Sequence, residues 1–135
     1  MTRTALADLL GKPKRNDAEG DLQRAIWSHI LIRGTPDTIA YAVPNGGARA
    51  AATGARLKAQ GVVPGIADLM FILADGSAAA MELKAGNNRQ SPEQVAFAQR
   101  CDRVGVPYAL VYDLDTALEI LVGWGVIRPE AKLSF

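Results

Sequence analysis

The chain has 135 residues, a length that supports one compact domain at roughly 100–200 residues each. Hydrophobic residues make up 49% and charged residues 21%, too apolar for a disordered chain, and the net charge of +1 excludes a bulk polycation. No apolar run approaches the ~18 residues needed to span a bilayer, and the stretch from Met1 to Gly11 lacks a signal peptide's cleavage pattern.

One cysteine, Cys101, excludes a disulfide framework and fits a reducing compartment. One histidine, His29, argues against a catalytic His pair and against a Cys/His zinc site. Metal chemistry in this chain is therefore carboxylate chemistry, which favours magnesium or manganese over zinc. Charge is unevenly spread. No acidic residue lies between Asp37 and Asp68, where Arg49, Arg56 and Lys58 fall. That bias permits an anionic partner.

Residues 1–16 hold Lys12, Pro13, Lys14 and Arg15 with weak periodicity and read as a flexible arm, leaving 17–135 as a single domain. A helix is predicted from Asn16 or Asp17, either of which can cap it. Leu22, Ile26 and Ile30 then recur at helical spacing up to Gly34. Thr38 to Val43 is a predicted strand that ends in the loop signature Pro44-Asn45-Gly46-Gly47. Ala48 to Gln60 reads as a helix closed by Gly61, and Val62-Val63-Pro64-Gly65 as a turn.

Two strands follow, Ile66–Leu73 and Ser77–Lys84, joined by Ala74-Asp75-Gly76 with glycine where a left-handed residue is needed. Ser91-Pro92-Glu93-Gln94 opens the next helix with a cap, a proline at the first helical position and a capping-box partner. That helix is expected to run to Val104 and stop at Gly105. Pro107–Tyr112 is an apolar strand and Asp115–Val122 a short helix. The order αβαββαβα predicts an α/β fold with a central mixed sheet flanked by helices.

The chemistry concentrates in Pro64-Gly65-Ile66-Ala67-Asp68 and Met81-Glu82-Leu83-Lys84. With a three-residue hairpin loop, paired residue numbers sum to 150, and Asp68 faces Glu82 with Cβ atoms ~4.5–5.5 Å apart. Lys84 projects from the same face as Glu82. Facing carboxylates repel, and a divalent cation between them removes that cost while supplying a Lewis acid. Leu83 points into the core on this reading, and its backbone carbonyl can complete the metal shell. Lys84 can orient an attacking water or stabilise charge developing on a phosphate. The blander reading is a solvated Glu82/Lys84 pair beside an exposed Asp68. A loop of two or four residues would shift the sum to 151 and turn Asp68 away.

On these residues the chain resembles the VRR-NUC family of the PD-(D/E)xK nuclease superfamily. The resemblance runs from Glu19 to Val126. It rests on Glu19-x-x-Leu22-Gln23, Pro44-Asn45-Gly46-Gly47, the run Leu57 to Leu69, Glu82-Leu83-Lys84 and Ser91-Pro92-Glu93-Gln94. One departure is visible: Ala67 stands where the family usually has proline before the aspartate. That proline shapes the strand rather than binding metal, so the site assignment stands.

The resemblance implies a restriction-endonuclease-like core and a magnesium-dependent DNA endonuclease, with Mn2+ able to substitute. Asp68 and Glu82 would ligate the metal and Lys84 would be the catalytic lysine. Glu19 would add a further acidic member from the first helix, and Gln94 would approach the metal from the third. Glu19 reads equally well as an acid complementing its helix dipole, and Gln94 as the cap partner of Ser91. Small phage members imply a homodimer acting on four-way junctions or other branched DNA, in the cytoplasm of a bacterial cell, with a phage or prophage origin.

Arg49, Arg56 and Lys58 read as phosphate contacts, with Asn45, Gly46 and Gly47 letting backbone approach the duplex and Arg89 adding a weaker contact. The same cations would also suit a solvated helix face. His29 and Cys101 fit packing better than catalysis, while Trp27 and Trp124 fit a core or a dimer interface equally. The main alternative to a nuclease is a catalytically silent nuclease fold used as a DNA-binding or assembly module. A third reading, a nicking or restriction-type enzyme on ordinary duplex, is lowered because the chain offers no separate sequence-reading domain.

Overall fold

The computed structural model describes residues 17–44 and 51–130, in the order α1 (Ala18–Arg33), β1 (Ile39–Ala42), α2 (Ala51–Ala59), β2 (Leu69–Ile72), β3 (Ala78–Leu83), α3 (Pro92–Val104), β4 (Tyr108–Val111) and α4 (Leu114–Gly123). This is the predicted order. The expected arm over residues 1–16 lies outside the described residues, as do Asn45, Gly46, Gly47 and Arg49.

The strands form one sheet in the order β1-β2-β3-β4, with β1, β2 and β3 antiparallel in sequence and β4 parallel to β3. The parallel step arises because α3 carries the chain back along the sheet between β3 and β4. Alternation then divides the strand residues between two faces. Leu69, Phe71, Ala79, Met81, Leu83, Ala109 and Val111 face one side and pack with Ile26 of α1 and Ala117 and Leu121 of α4. Each large apolar side chain buried there contributes about 1.5–3 kcal/mol. Trp27 and Trp124 settle at the margin of this core, Trp124 with its ring 5.7 Å from that of Phe71. The opposite face carries Met70, Ala80 and Tyr108 beneath Phe97 and the buried Cys101 of α3.

The helix ends follow their local chemistry, with one exception. Ser91 and Gln94 form the predicted reciprocal capping box, and α3 stops at Gly105 in a left-handed conformation (φ 81°). At α1, Asp17 occupies the cap position but its side chain makes no capping hydrogen bond. The carboxylate pairs instead with Arg24 at 3.3 Å, and Arg24 also pairs with Asp21. A charged partner about two turns along outcompetes the helix amides for those oxygens.

Strand β2 begins at Leu69, three residues later than the predicted Ile66. The shortening has a packing cause. Gly65 sits at φ 84°, and a Cβ there would overlap the Glu93 carbonyl and come within 2.8 Å of the Gln94 nitrogen. The Pro64-Gly65 turn is thus pressed onto the first turn of α3, and the chain enters the ladder only after it. Gly76 also has φ 84°, but nothing lies within 4 Å of its missing Cβ. Gly76→Ala is therefore expected to cost about 1–2 kcal/mol from its backbone conformation alone. Gly65→Ala adds a backbone overlap and should cost clearly more in urea unfolding. Equal losses for the two variants would refute the close approach of the turn to α3.

Candidate active site

The hairpin register places the site. Leu69 pairs with Met81 and Ile72 with Ala78, so paired numbers sum to 150 as the three-residue loop requires. Leu73 donates its N–H to Ser77 (2.7 Å), which closes the loop around Ala74-Asp75-Gly76. Continuing this register by one residue sets Asp68 opposite Glu82. Beyond Leu69 the ladder changes character: the Leu83 N–H donates to the Asp68 carboxylate at 2.8 Å. Meanwhile the Asp68 carbonyl still accepts from Val43 at 2.9 Å, extending the pairing with β1. Asp68 is thereby held through its backbone from one strand and through its side chain from the next.

Glu82 is the one buried charged residue among those described, at 1% exposure. Its Oε1 accepts a hydrogen bond from Gln94 Nε2 (3.1 Å), while Oε2 is buried with no partner. Burial raises the proton affinity of this carboxyl most. The nearby Asp68 carboxyl adds to the effect through hydrogen bonding and charge, Lys84 opposes it, and Glu19 adds to it, for a pKa of about 8. An unpaired buried carboxylate oxygen costs stability unless something occupies it. The donor set suits a divalent cation chemically, since two adjacent carboxylates and the Leu83 backbone carbonyl are oxygen ligands.

Gln94 is positioned twice over. Its Oε1 accepts the Ser91 N–H at 2.8 Å, and its own N–H donates to the Ser91 hydroxyl at 3.2 Å. Because Oε1 is taken by the cap, the amide must present Nε2 to Glu82. One side chain therefore both caps α3 and donates to Glu82.

Lys84 is largely enclosed, 13% exposed, with Nζ 3.7 Å from Glu19 Oε1. Glu19 Oε2 in turn accepts from Asn88 Nδ2 at 3.3 Å. The first helix does bring Glu19 to the site, but to its lysine. Among the described residues no three Asp, Glu, His or Cys side chains gather into a set that could hold a metal. Arg56 and Lys58 are exposed on α2, and Arg89 is exposed in the loop after Lys84. No described contact brings these three cations to the carboxylates.

Two participants had no sequence signal. Asn88 is an ordinary loop residue until the fold sets it beside Glu19, with its carbonyl accepting from the Tyr112 hydroxyl at 3.2 Å. Tyr108 of β4 shares the face of Glu82 and receives a hydrogen bond from Gln90 at 2.9 Å. Its burial, reinforced by the Glu82 charge, pushes its pKa up to about 12.

The Glu82 shift makes stability depend on pH with a definite sign. Unfolded, the group titrates near 4.5; folded, near 8. Between those values the native state holds a proton that the unfolded chain has lost, so stability falls as pH rises through this window. In metal-free buffer, Glu82→Gln is expected to raise Tm relative to the parent more at about pH 9 than at about pH 5. A Tm difference independent of pH would refute the raised carboxyl.

Searches of protein-family profiles and of curated proteins return no match. Among solved structures, one titled "VRR_NUC domain protein" superposes with TM-score 0.67 at 16% identity, covering 86% of this chain and 100% of the other. A second, titled "VRR_NUC domain", has TM-score 0.54 at 18% identity, covering 78% of this chain and 95% of the other. The mixed four-stranded sheet with its flanking helices is therefore the fold seen in these VRR_NUC domain structures.

Proposed function

We propose that this chain is a magnesium-dependent DNA endonuclease in which Asp68 and Glu82 hold the metal, beside the Leu83 carbonyl, and Lys84 assists the attacking water. The observation that carries this reading is the Asp68/Glu82 pair, with one buried Glu82 oxygen left without a partner. A bound Mg2+, or Mn2+ in its place, supplies Lewis-acid stabilisation of a phosphodiester during hydrolysis. The protein's own residues prepare the rest. Asp68 is held by the Leu83 amide and Glu82 by Gln94, so the two carboxylates are oriented before any ligand arrives. Lys84, largely screened from solvent, donates N–H to the attacking water and opposes charge gathering on phosphate oxygens.

DNA is the substrate on this reading, held by phosphate contacts from Arg56, Lys58 and Arg89, together with Asn45, Gly46, Gly47 and Arg49. A branched substrate such as a four-way junction suits a homodimer, whose twofold presents two equivalent sites to two strands. Purified protein is therefore tested against labelled four-way junction, flap and linear duplex, with Mg2+ or EDTA. Cutting of the branched forms in Mg2+, abolished by EDTA and by Glu82→Ala, is the expected result. Lys84→Met should lower kcat by about 10²–10³-fold while DNA binding persists. Tight binding without cleavage in either metal would leave a DNA-binding module and end the enzyme reading.

The phosphate contacts have a separate signature. Arg56→Ala and Lys58→Ala should each weaken binding to all sequences alike and reduce the slope of log K against log salt by about 1. An unchanged slope would return both side chains to a solvated helix face.

A further inference from the structure

We infer that Tyr108 and Tyr112 of β4 are positioning residues, which moor the loop 85–90 so that Arg89 grips one DNA phosphate in a fixed place. The inference rests on the nuclease reading above and deepens it, by separating this arginine from the cations of α2. The loop joins Lys84 to the helix that carries Gln94, so its position bears on both ends of the site.

The composition of the loop gives it little means of holding itself still. Residues from Gly86 to Arg89 are exposed, and none of them is apolar enough to anchor it by burial. It is held from outside instead. The Tyr112 hydroxyl donates to the Asn88 carbonyl at 3.2 Å, and Gln90 Nε2 donates to the Tyr108 hydroxyl at 2.9 Å. Between them the Asn88 N–H closes a turn onto the Ala85 carbonyl at 3.1 Å.

Sheet register explains why β4 supplies both moorings. Leu83 pairs with Val111, and Lys84 donates its N–H to the Val111 carbonyl at 3.0 Å, so Tyr112 falls beside Lys84. Tyr108 and Tyr112 occupy alternate positions of one strand and share the face of Glu82 and Lys84. The chain leaving Lys84 therefore turns back over two hydroxyls already placed by the sheet.

Arg89 stands between the two moored residues. Its side chain is exposed and has no ion pair or hydrogen bond among the described residues. No acidic residue lies between Lys84 and Glu93 to neutralise it. A planar guanidinium can grip a phosphate through two parallel N–H donors, and a fixed backbone turns that grip into alignment. Arg56 and Lys58 add affinity from the surface of α2, whereas Arg89 sets where the strand lies relative to the carboxylates.

The roles separate in a double-mutant cycle. Junction binding in EDTA, kcat in Mg2+ and Tm are measured for the parent, Arg89→Ala, Tyr108→Phe, Tyr112→Phe, and each tyrosine variant combined with Arg89→Ala. Tyr41→Phe, on β1, is the control and should match the parent. Arg89→Ala is expected to lower kcat at least about tenfold. Each tyrosine change removes one hydroxyl, and Tyr108→Phe keeps the ring beside Phe97. Each should lower kcat about 3–10-fold while Kd stays within about twofold. Tm should hold in Tyr112→Phe, because water replaces the hydroxyl at an exposed carbonyl. Combined with Arg89→Ala, neither tyrosine change should lower kcat further, since a residue acting through the arginine has nothing left to place.

Additive losses in the combined variants would overturn the inference, because the hydroxyls would then act elsewhere, as through the Asn88 side chain on Glu19. Parental kcat in both tyrosine variants would overturn it too, with the nuclease intact. A parent protein that cuts no junction in Mg2+ or Mn2+ would remove the nuclease reading itself and this inference with it.

Discussion

The pairing of β2 with β3 in a single register is the constraint on which the rest of the site depends. Side chains alternate across a strand, so a slip of one residue would carry Asp68 to the face packed by α1 and α4 and leave Glu82 alone. The slip is opposed from both ends. At the turn, the loop of Ala74, Asp75 and Gly76 is held by hydrogen bonds between Leu73 and Ser77 and between Gly76 and Leu73. On the buried face, the same slip would turn Leu69 and Phe71 away from Ala79 and Met81. The forces that build the hydrophobic core thus also bring two carboxylates together against their mutual repulsion.

Glu82 is where that arrangement carries its largest electrostatic cost. A carboxyl at 1% exposure beside a second carboxyl favours its protonated form, and when ionised one of its oxygens receives no hydrogen bond. Gln94 offsets part of the cost by donating to the other oxygen, and Lys84 by its charge. A destabilised group of this kind, confined to one end of an otherwise apolar strand pair, marks a candidate functional site and not a stabilising contact. Three elements supply the surrounding groups: Glu19 from α1, Lys84 from the end of β3 and Gln94 from α3.

Gly65 shows how the fold and the site are joined. Its missing side chain lets the turn before Asp68 lie directly on the first turn of α3, so the Asp68 carboxylate and the helix that carries Gln94 are placed by one contact. A sequence reading sees Pro64-Gly65 as a turn and Ser91-Pro92-Glu93-Gln94 as a helix start. It has no means of seeing that the two touch, because they lie far apart in the chain and neither pattern encodes the other.

Much was determined by the sequence alone, because its causes are local. The order of elements, the hairpin loop, the α3 cap and stop, and the facing of Asp68 and Glu82 all follow from turn chemistry and from periods of two and 3.6 residues. Tertiary structure decided what local rules leave open. It let Gln94 cap α3 and donate to Glu82 at once. It also set Glu19 beside Lys84 and recruited Asn88, a loop residue with no pattern of its own. Each outcome turns on which of several available partners comes within reach when distant segments pack, a competition that no stretch of sequence contains by itself.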